Sequence, residues 1–212
     1  VIVGILGVFG VTEYMKSQNV KASSNLSPAF AAYEKPIAGS PTLESLTKAG
    51  ISIDDTYENR EARWKDVLGS ANKTLEAKSK GPLAQSARLA KGAAAIRLEK
   101  WDDAVSAYEA YLSDAEAGDV EPFVRQALAT AYAGKGDIES ARAELDKLEK
   151  AGEQYAEVAK FQEATILDAA GKADEARDLY HGILEANPES LEELRARLAA
   201  LDRGARPSSG SV

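Results

Sequence analysis

The sequence predicts an all-α fold, a solenoid of helical hairpins preceded by the second half of a transmembrane helix and a short stalk. Three observations carry this prediction. From Leu83 onward, apolar residues recur at the three-and-four spacing of amphipathic helices, in pairs joined by short turns that mostly contain Gly. The stretches LEKWDDAVSAYEAYL, GKGDIESARAELDKL and AGKADEARDLYHGIL align on Ala104, Ala141 and Ala176, at spacings of 37 and 35 residues. The first eleven residues, VIVGILGVFGV, hold only Val, Ile, Leu, Phe and Gly.

The opening run defines the first element. Eleven helical residues reach roughly 16 Å, about half a bilayer core. The run then stops at Thr12 and Glu13, and Tyr14 and Lys16 are the residue types that mark a membrane interface. Residues 1–16 therefore read as the C-terminal half of a membrane anchor. A signal-peptide core fits less well, because the cleavage-like Ala29-Phe30-Ala31 lies too far downstream. A buried core helix would show a polar stripe, and these eleven residues show none.

Residues 17–53 read as a stalk with short helices, rich in Ser and carrying Pro28, Pro36, Pro41, Gly39 and Gly50. Ser27-Pro28 and Ser40-Pro41 each combine a capping hydroxyl with a proline suited to a first helical turn. Residues 54–202 form the helical domain. A long helix from Asp54 to Lys80 is expected to open it, capped by Asp55 with Glu58 three residues later, its stripe formed by Trp64, Val67, Leu68, Ala71 and Leu75. Gly81 and Pro82 end that helix. Hairpins follow to Pro188, and a closing helix from Ser190 to Leu201 has Ser190 and Glu193 at capping-box spacing. Residues 203–212 read as a flexible tail.

Within the hairpins, Tyr108, Leu145 and Tyr180 stand four residues after the aligned alanines, with Tyr111, Leu148 and Ile183 three further on. Gly92, Ala129 and Ala164 stand twelve residues before them. Small residues at Gly92 and Ala104 would let paired helices approach closely, while Trp101, Tyr108 and Tyr111 would fill the space between hairpins. This pattern, with Asn187-Pro188 closing the last unit, resembles the tetratricopeptide repeat. Arg88, Arg125 and Lys160 depart from it, standing where that family usually has a large apolar residue. The layout of anchor, stalk, three repeats and closing helix also resembles the bacterial membrane-anchored repeat proteins that accompany the SecYEG translocon. That resemblance implies a chaperone-like, periplasmic repeat domain on a single-pass inner-membrane anchor.

Composition limits the chemistry. The 212 residues, 44% apolar, suffice for a sizeable core. With 26 basic residues interspersed among 34 acidic ones and a formal net charge of -8, no phosphate-binding surface for nucleic acid is expected. The absence of Cys excludes disulfides, thiolate metal sites and cysteine nucleophiles. The one His181 has no second His to share a zinc ion. Ser45-Leu46-Thr47-Lys48 has Ser-x-x-Lys spacing without the companion elements of acyl-transfer enzymes. Gly134-Lys135-Gly136 lacks the leading Gly and the Ser or Thr of a phosphate loop and reads as a helix-helix turn. The acidic segment from Ser113 to Pro122 lacks the spacing of a calcium loop. No enzymatic activity, metal, cofactor or small-molecule substrate is expected.

What remains is a surface. In the repeat family the first helices line a concave groove that holds partner segments. By that resemblance Leu89, Ile96 and Arg97, then Phe123, Gln126 and Thr130, then Phe161, Thr165 and Asp168 are expected to face the groove, unless the helix of residues 54–80 covers it. The expected partners are other proteins: translocon components, client polypeptides, or one large membrane complex of which the chain is a structural subunit. Lys16 and Lys21 alone would favour a cytoplasmic domain; the resemblance favours the periplasm.

Overall fold

The computed structural model describes residues 26–53, 55–77, 80–113, 120–186 and 192–203. Its helices are α1 (Ser27–Glu34), α2 (Pro41–Lys48), α3 (Arg60–Ala77), α4 (Pro82–Arg97), α5 (Trp101–Ser113), α6 (Glu121–Lys135), α7 (Ile138–Lys150), α8 (Glu153–Ala169), α9 (Ala173–Ala186) and α10 (Glu192–Asp202). The fold is all-α: among the described residues the only β pairing is an isolated bridge between Ile37 and Tyr57. None of the described helices is long and apolar enough to cross a membrane. The expected anchor at residues 1–16, the capping residue Ser190 and most of the tail lie outside the described residues.

The hairpins α4–α5, α6–α7 and α8–α9 follow the repeat period. Each helix packs on the next, and the first helices also meet, α4 with α6 and α6 with α8, so the hairpins stack in register. The small positions explain the close approach. Ala104, Ala129, Ala141, Ala164 and Ala176 are each 0% exposed. A Cβ at Gly92 would stand 2.5 Å from Cζ of Tyr108, so the ring occupies the space a side chain there would need. Tyr108 therefore closes its own hairpin as well as belonging to the cluster that joins it to Val124 and Leu128 of α6. The gap between hairpins is also bridged by Trp101, whose ring lies 2.5 Å from where a Cβ on Gly134 of α6 would be.

Four apolar clusters run along the stack, each joining three helices. One unites α1, α3 and α4, the next α4, α5 and α6, the third α6, α7 and α8, and the last α8, α9 and α10. The core is therefore a ladder, and every helix from α3 to α9 packs on at least two neighbours.

The hairpin turns share one device. Five residues before each aligned alanine stands a left-handed residue, Glu99 (φ 55°), Gly136 (φ 87°) and Gly171 (φ 80°). The next N–H then bonds back to the helix at 2.8–2.9 Å: Lys100 to Ala95, Asp137 to Tyr132 and Lys172 to Leu167. Glycine adopts this conformation without penalty, whereas a residue with a Cβ is strained by roughly 1–2 kcal/mol. Asp137 completes the second turn by accepting from the Ser140 N–H at 3.0 Å, which caps α7.

The N-terminal end departs from expectation in three places. The cap of the long helix is Asn59, whose Oδ1 accepts from the Ala62 N–H at 2.8 Å, and the helix begins at Arg60. Asp55 is instead ion-paired with Lys35. Ser27 lies inside α1, which carries no side-chain cap, while Ser40 does cap α2. Pro82 occupies the first turn of α4 rather than ending α3. Leu26, Ala29 and Ala32 are at most 1% exposed and pack with Val67, Leu68 and Ala71 of α3, so the packed body includes Leu26 and α1. Val67, Ala71 and Thr74, all at most 1% exposed, repeat the spacing of Ala104, Tyr108 and Tyr111, 37 residues earlier. α1 and α3 thus form a fourth, degenerate hairpin with residues 35–59 inserted between its helices.

Two substitutions test this packing in opposite directions. Gly92→Ala must displace the fully buried Tyr108 and should cost about 1–3 kcal/mol. Glu99→Gly relieves the one strained turn and should stabilise by up to ~1 kcal/mol. Denaturant midpoints of the two variants against the parent check both; equal midpoints for Gly92→Ala would rule out the Tyr108 contact.

Candidate protein-binding face

All nine residues expected to line a groove lie on the first helices α4, α6 and α8. The structure sorts them by register. Leu89, Gln126 and Phe161 each stand three residues before a hairpin's small residue, on the same helical face one turn away, and are 3%, 5% and 7% exposed. They belong to the interior. Leu89 joins the cluster of α4, α5 and α6, and the Phe161 ring lies 5.9 Å from that of Tyr180.

The other six form a partly exposed row. Ile96, Phe123, Thr130, Thr165 and Asp168 are half-buried and Arg97 is exposed. Val158 extends the row; at 36% exposed it is an uncovered apolar residue in the same register as Phe123, six residues before the small position. The repeat period alone could have located Val158, because the spacing from 123 to 158 equals that from Ala129 to Ala164. Phe123 stacks edge-on against Tyr155 of α8, with centroids 6.4 Å apart.

The floor between α6 and α8 is polar. Gln162 Nε2 donates to the Gln126 carbonyl and to Thr130 Oγ1, both at 2.9 Å. Thr165 Oγ1 donates to the Phe161 carbonyl at 2.9 Å and lies 3.2 Å from the Tyr180 hydroxyl. Burial pushes the Tyr180 phenol up. Burial also raises the Asp168 carboxyl above its ordinary value, with the Arg197 charge on α10 opposing the shift.

α3 reaches this row at Arg97, and the apolar cluster it joins holds none of Ile96, Phe123 or Val158. Its stripe packs on α1 and on Ala87, Ala90 and Ala94 of α4, at the end of the stack. Arg97 closes the joint, its guanidinium 5.7 Å from the centre of the Trp64 ring. The three cationic departures from the repeat pattern are held by polar partners. Arg88 donates to Gln85 Oε1 at 2.9 Å, Arg125 pairs with Glu144 of α7 at 2.7 Å and with Glu121, and Lys160 pairs with Glu149 at 3.2 Å. Among the described residues no group of acidic, His or Cys side chains is arranged to hold a metal ion.

In comparisons with known proteins, no family model matches the chain, and neither a curated protein nor a solved structure matches it. The class rests on the architecture itself: a stacked, all-α hairpin protein with an apolar and polar row along its first helices.

Two measurements follow. Phe161→Ala should cost about 3–5 kcal/mol as a buried aromatic, and Phe123→Ser clearly less, read from denaturant midpoints; equal losses would contradict the sorting. An acid held above its unfolded pKa binds its proton more tightly in the native state, so stability falls as pH rises through the folded value. Asp168→Asn should therefore raise the melting midpoint at pH 7, and the gain should vanish at about pH 3, below the unfolded carboxyl range. A lower midpoint at pH 7 would show that the Arg197 attraction outweighs burial.

Proposed function

We propose that the chain is a membrane-anchored helical-repeat scaffold, without enzymatic activity, that binds other proteins along the row formed by α4, α6 and α8. The observation that carries this reading is the row itself: Ile96, Phe123 and Val158 keep apolar surface exposed beside Thr130, Thr165 and Asp168, while α3 packs at the end of the stack. Stacked first helices offer an extended partner segment alternating apolar contacts and hydrogen-bonding groups, which is the chemistry of a polypeptide in an open conformation. The apolar run at residues 1–11 supplies the anchor in this reading. The resemblance to translocon-associated repeat proteins supports a periplasmic domain on the inner membrane, with emerging polypeptides as clients.

The test is a double variant, Phe123→Ser with Val158→Asp, in the whole chain. Co-purifying polypeptides should fall about tenfold, the equivalent of roughly 1.4 kcal/mol, with helicity retained and at most a modest shift in melting midpoint. Unchanged co-purification would remove this row from the functional reading. A single stoichiometric partner in place of many weak ones would mark the chain as a fixed subunit of one complex.

A further inference from the structure

The segment inserted between α1 and α3 is a pinned excursion. The Ala38 N–H donates to the Tyr57 carbonyl and the Tyr57 N–H to the Pro36 carbonyl, both at 2.8 Å. At the same neck Lys35 pairs with Asp55, its ammonium lies 4.6 Å from the centre of the Tyr57 ring, and Arg63 Nη2 donates to the Lys35 carbonyl at 2.6 Å. Within the excursion, α2 is capped at both ends. Ser40 Oγ accepts from the Leu43 N–H at 3.3 Å. Past its C-terminus Gly50, at φ 79°, lets the Ile51 N–H reach the Leu46 carbonyl at 3.0 Å. Local bonds therefore hold a helix in which no residue is buried. Leu43 and Leu46, three apart, share one face, and Ile51 is 48% exposed.

We propose that this excursion docks on the bilayer surface, seating Leu43, Leu46 and Ile51 at the interface and setting the tilt of the stack. The proposal rests on the anchor reading of residues 1–16. The chain outside the structure ends at Leu26, which is 0% exposed and so fixed in the core. The ten residues from Lys16 to Leu26 span at most roughly 35 Å. α1 is eight residues long, about 12 Å of helix. With Lys35 and Pro36 extended beyond it, the neck at Pro36 is within roughly 20 Å of Leu26, so in this reading the anchor holds this end of the stack near the membrane.

Area and charge select the occupant. Three aliphatic side chains offer far less than the ~800 Å² per partner of a stable dimer, so a second copy does not fit. Residues 36–57 carry Glu44, Asp54 and Asp55 against Lys48, three acids and one base, so anionic headgroups are not attracted. The contact is apolar, of the kind an amphipathic helix makes at a neutral lipid interface.

The chain has no Cys, so single labels can be placed without background. Leu46→Cys and Ile51→Cys, each bearing an environment-sensitive fluorophore in the whole chain, are compared in phosphatidylcholine vesicles with Ser106→Cys on the exposed side of α5. Spin-labelled lipid should quench positions 46 and 51 several-fold more than position 106. A chain that floats with the vesicles while all three positions are quenched equally would overturn the docking and leave the anchor standing. A chain that does not float would overturn both. Shielding of positions 46 and 51 that persists in lipid-free, co-purified material would assign the excursion to a protein partner instead.

Discussion

A tyrosine ring can rest on the backbone of a neighbouring helix only where that helix has no side chain in the way, and Gly92 provides this space for Tyr108. The rest of the stack depends on this constraint. A small residue in the first helix and a large one in the second bring α4 and α5 together, and Ala129 with Leu145 and Ala164 with Tyr180 stand at the same positions of the later hairpins. Because each hairpin closes alike, successive hairpins meet with their first helices side by side. The partly exposed row along α4, α6 and α8 follows from that repetition and from no dedicated loop.

The middle hairpin shows that the constraint is steric more than apolar. Where the repeat pattern calls for a large apolar residue, Arg125 reaches across to Glu144, whose side chain is 10% exposed and also pairs with Lys147 at 2.6 Å. Such a pair gains little net stability against a well-packed apolar pair, and losing one partner would strand a mostly buried charge. It replaces volume with directed hydrogen bonds and so keeps α6 and α7 in register.

The hairpins were legible in the sequence because their small and large positions recur at nearly fixed spacing, and every aligned position from Gly92 to Ile183 is buried. The N-terminal end was less legible. Residues 36–57 have the Pro, Gly and Ser content of a stalk, and composition cannot show that the Pro36–Tyr57 bonds close them into an excursion. Asp55 is as good a cap as Asn59 by residue type, but the Tyr57 N–H two residues beyond it is bonded to the Pro36 carbonyl, and Asp55 pairs with Lys35 instead. Groove residues were half legible. The period places Phe123 and Phe161 on first helices, yet which side of a helix is covered depends on neighbours. Phe161 has Tyr180 beside it, while Phe123 meets Tyr155 only at its edge.

α3 ends the stack beside α4 and leaves Phe123 and Val158 of the first-helix row uncovered. A pair of spin labels at Gly69→Cys on α3 and Val158→Cys on α8 tests it directly, because both positions are exposed and the chain has no other Cys. With α4 and α6 between them, three interhelical spacings of 8–10 Å should hold the labels beyond about 20 Å. A single narrow distance near 10–15 Å would mean that α3 lies across the row and covers it.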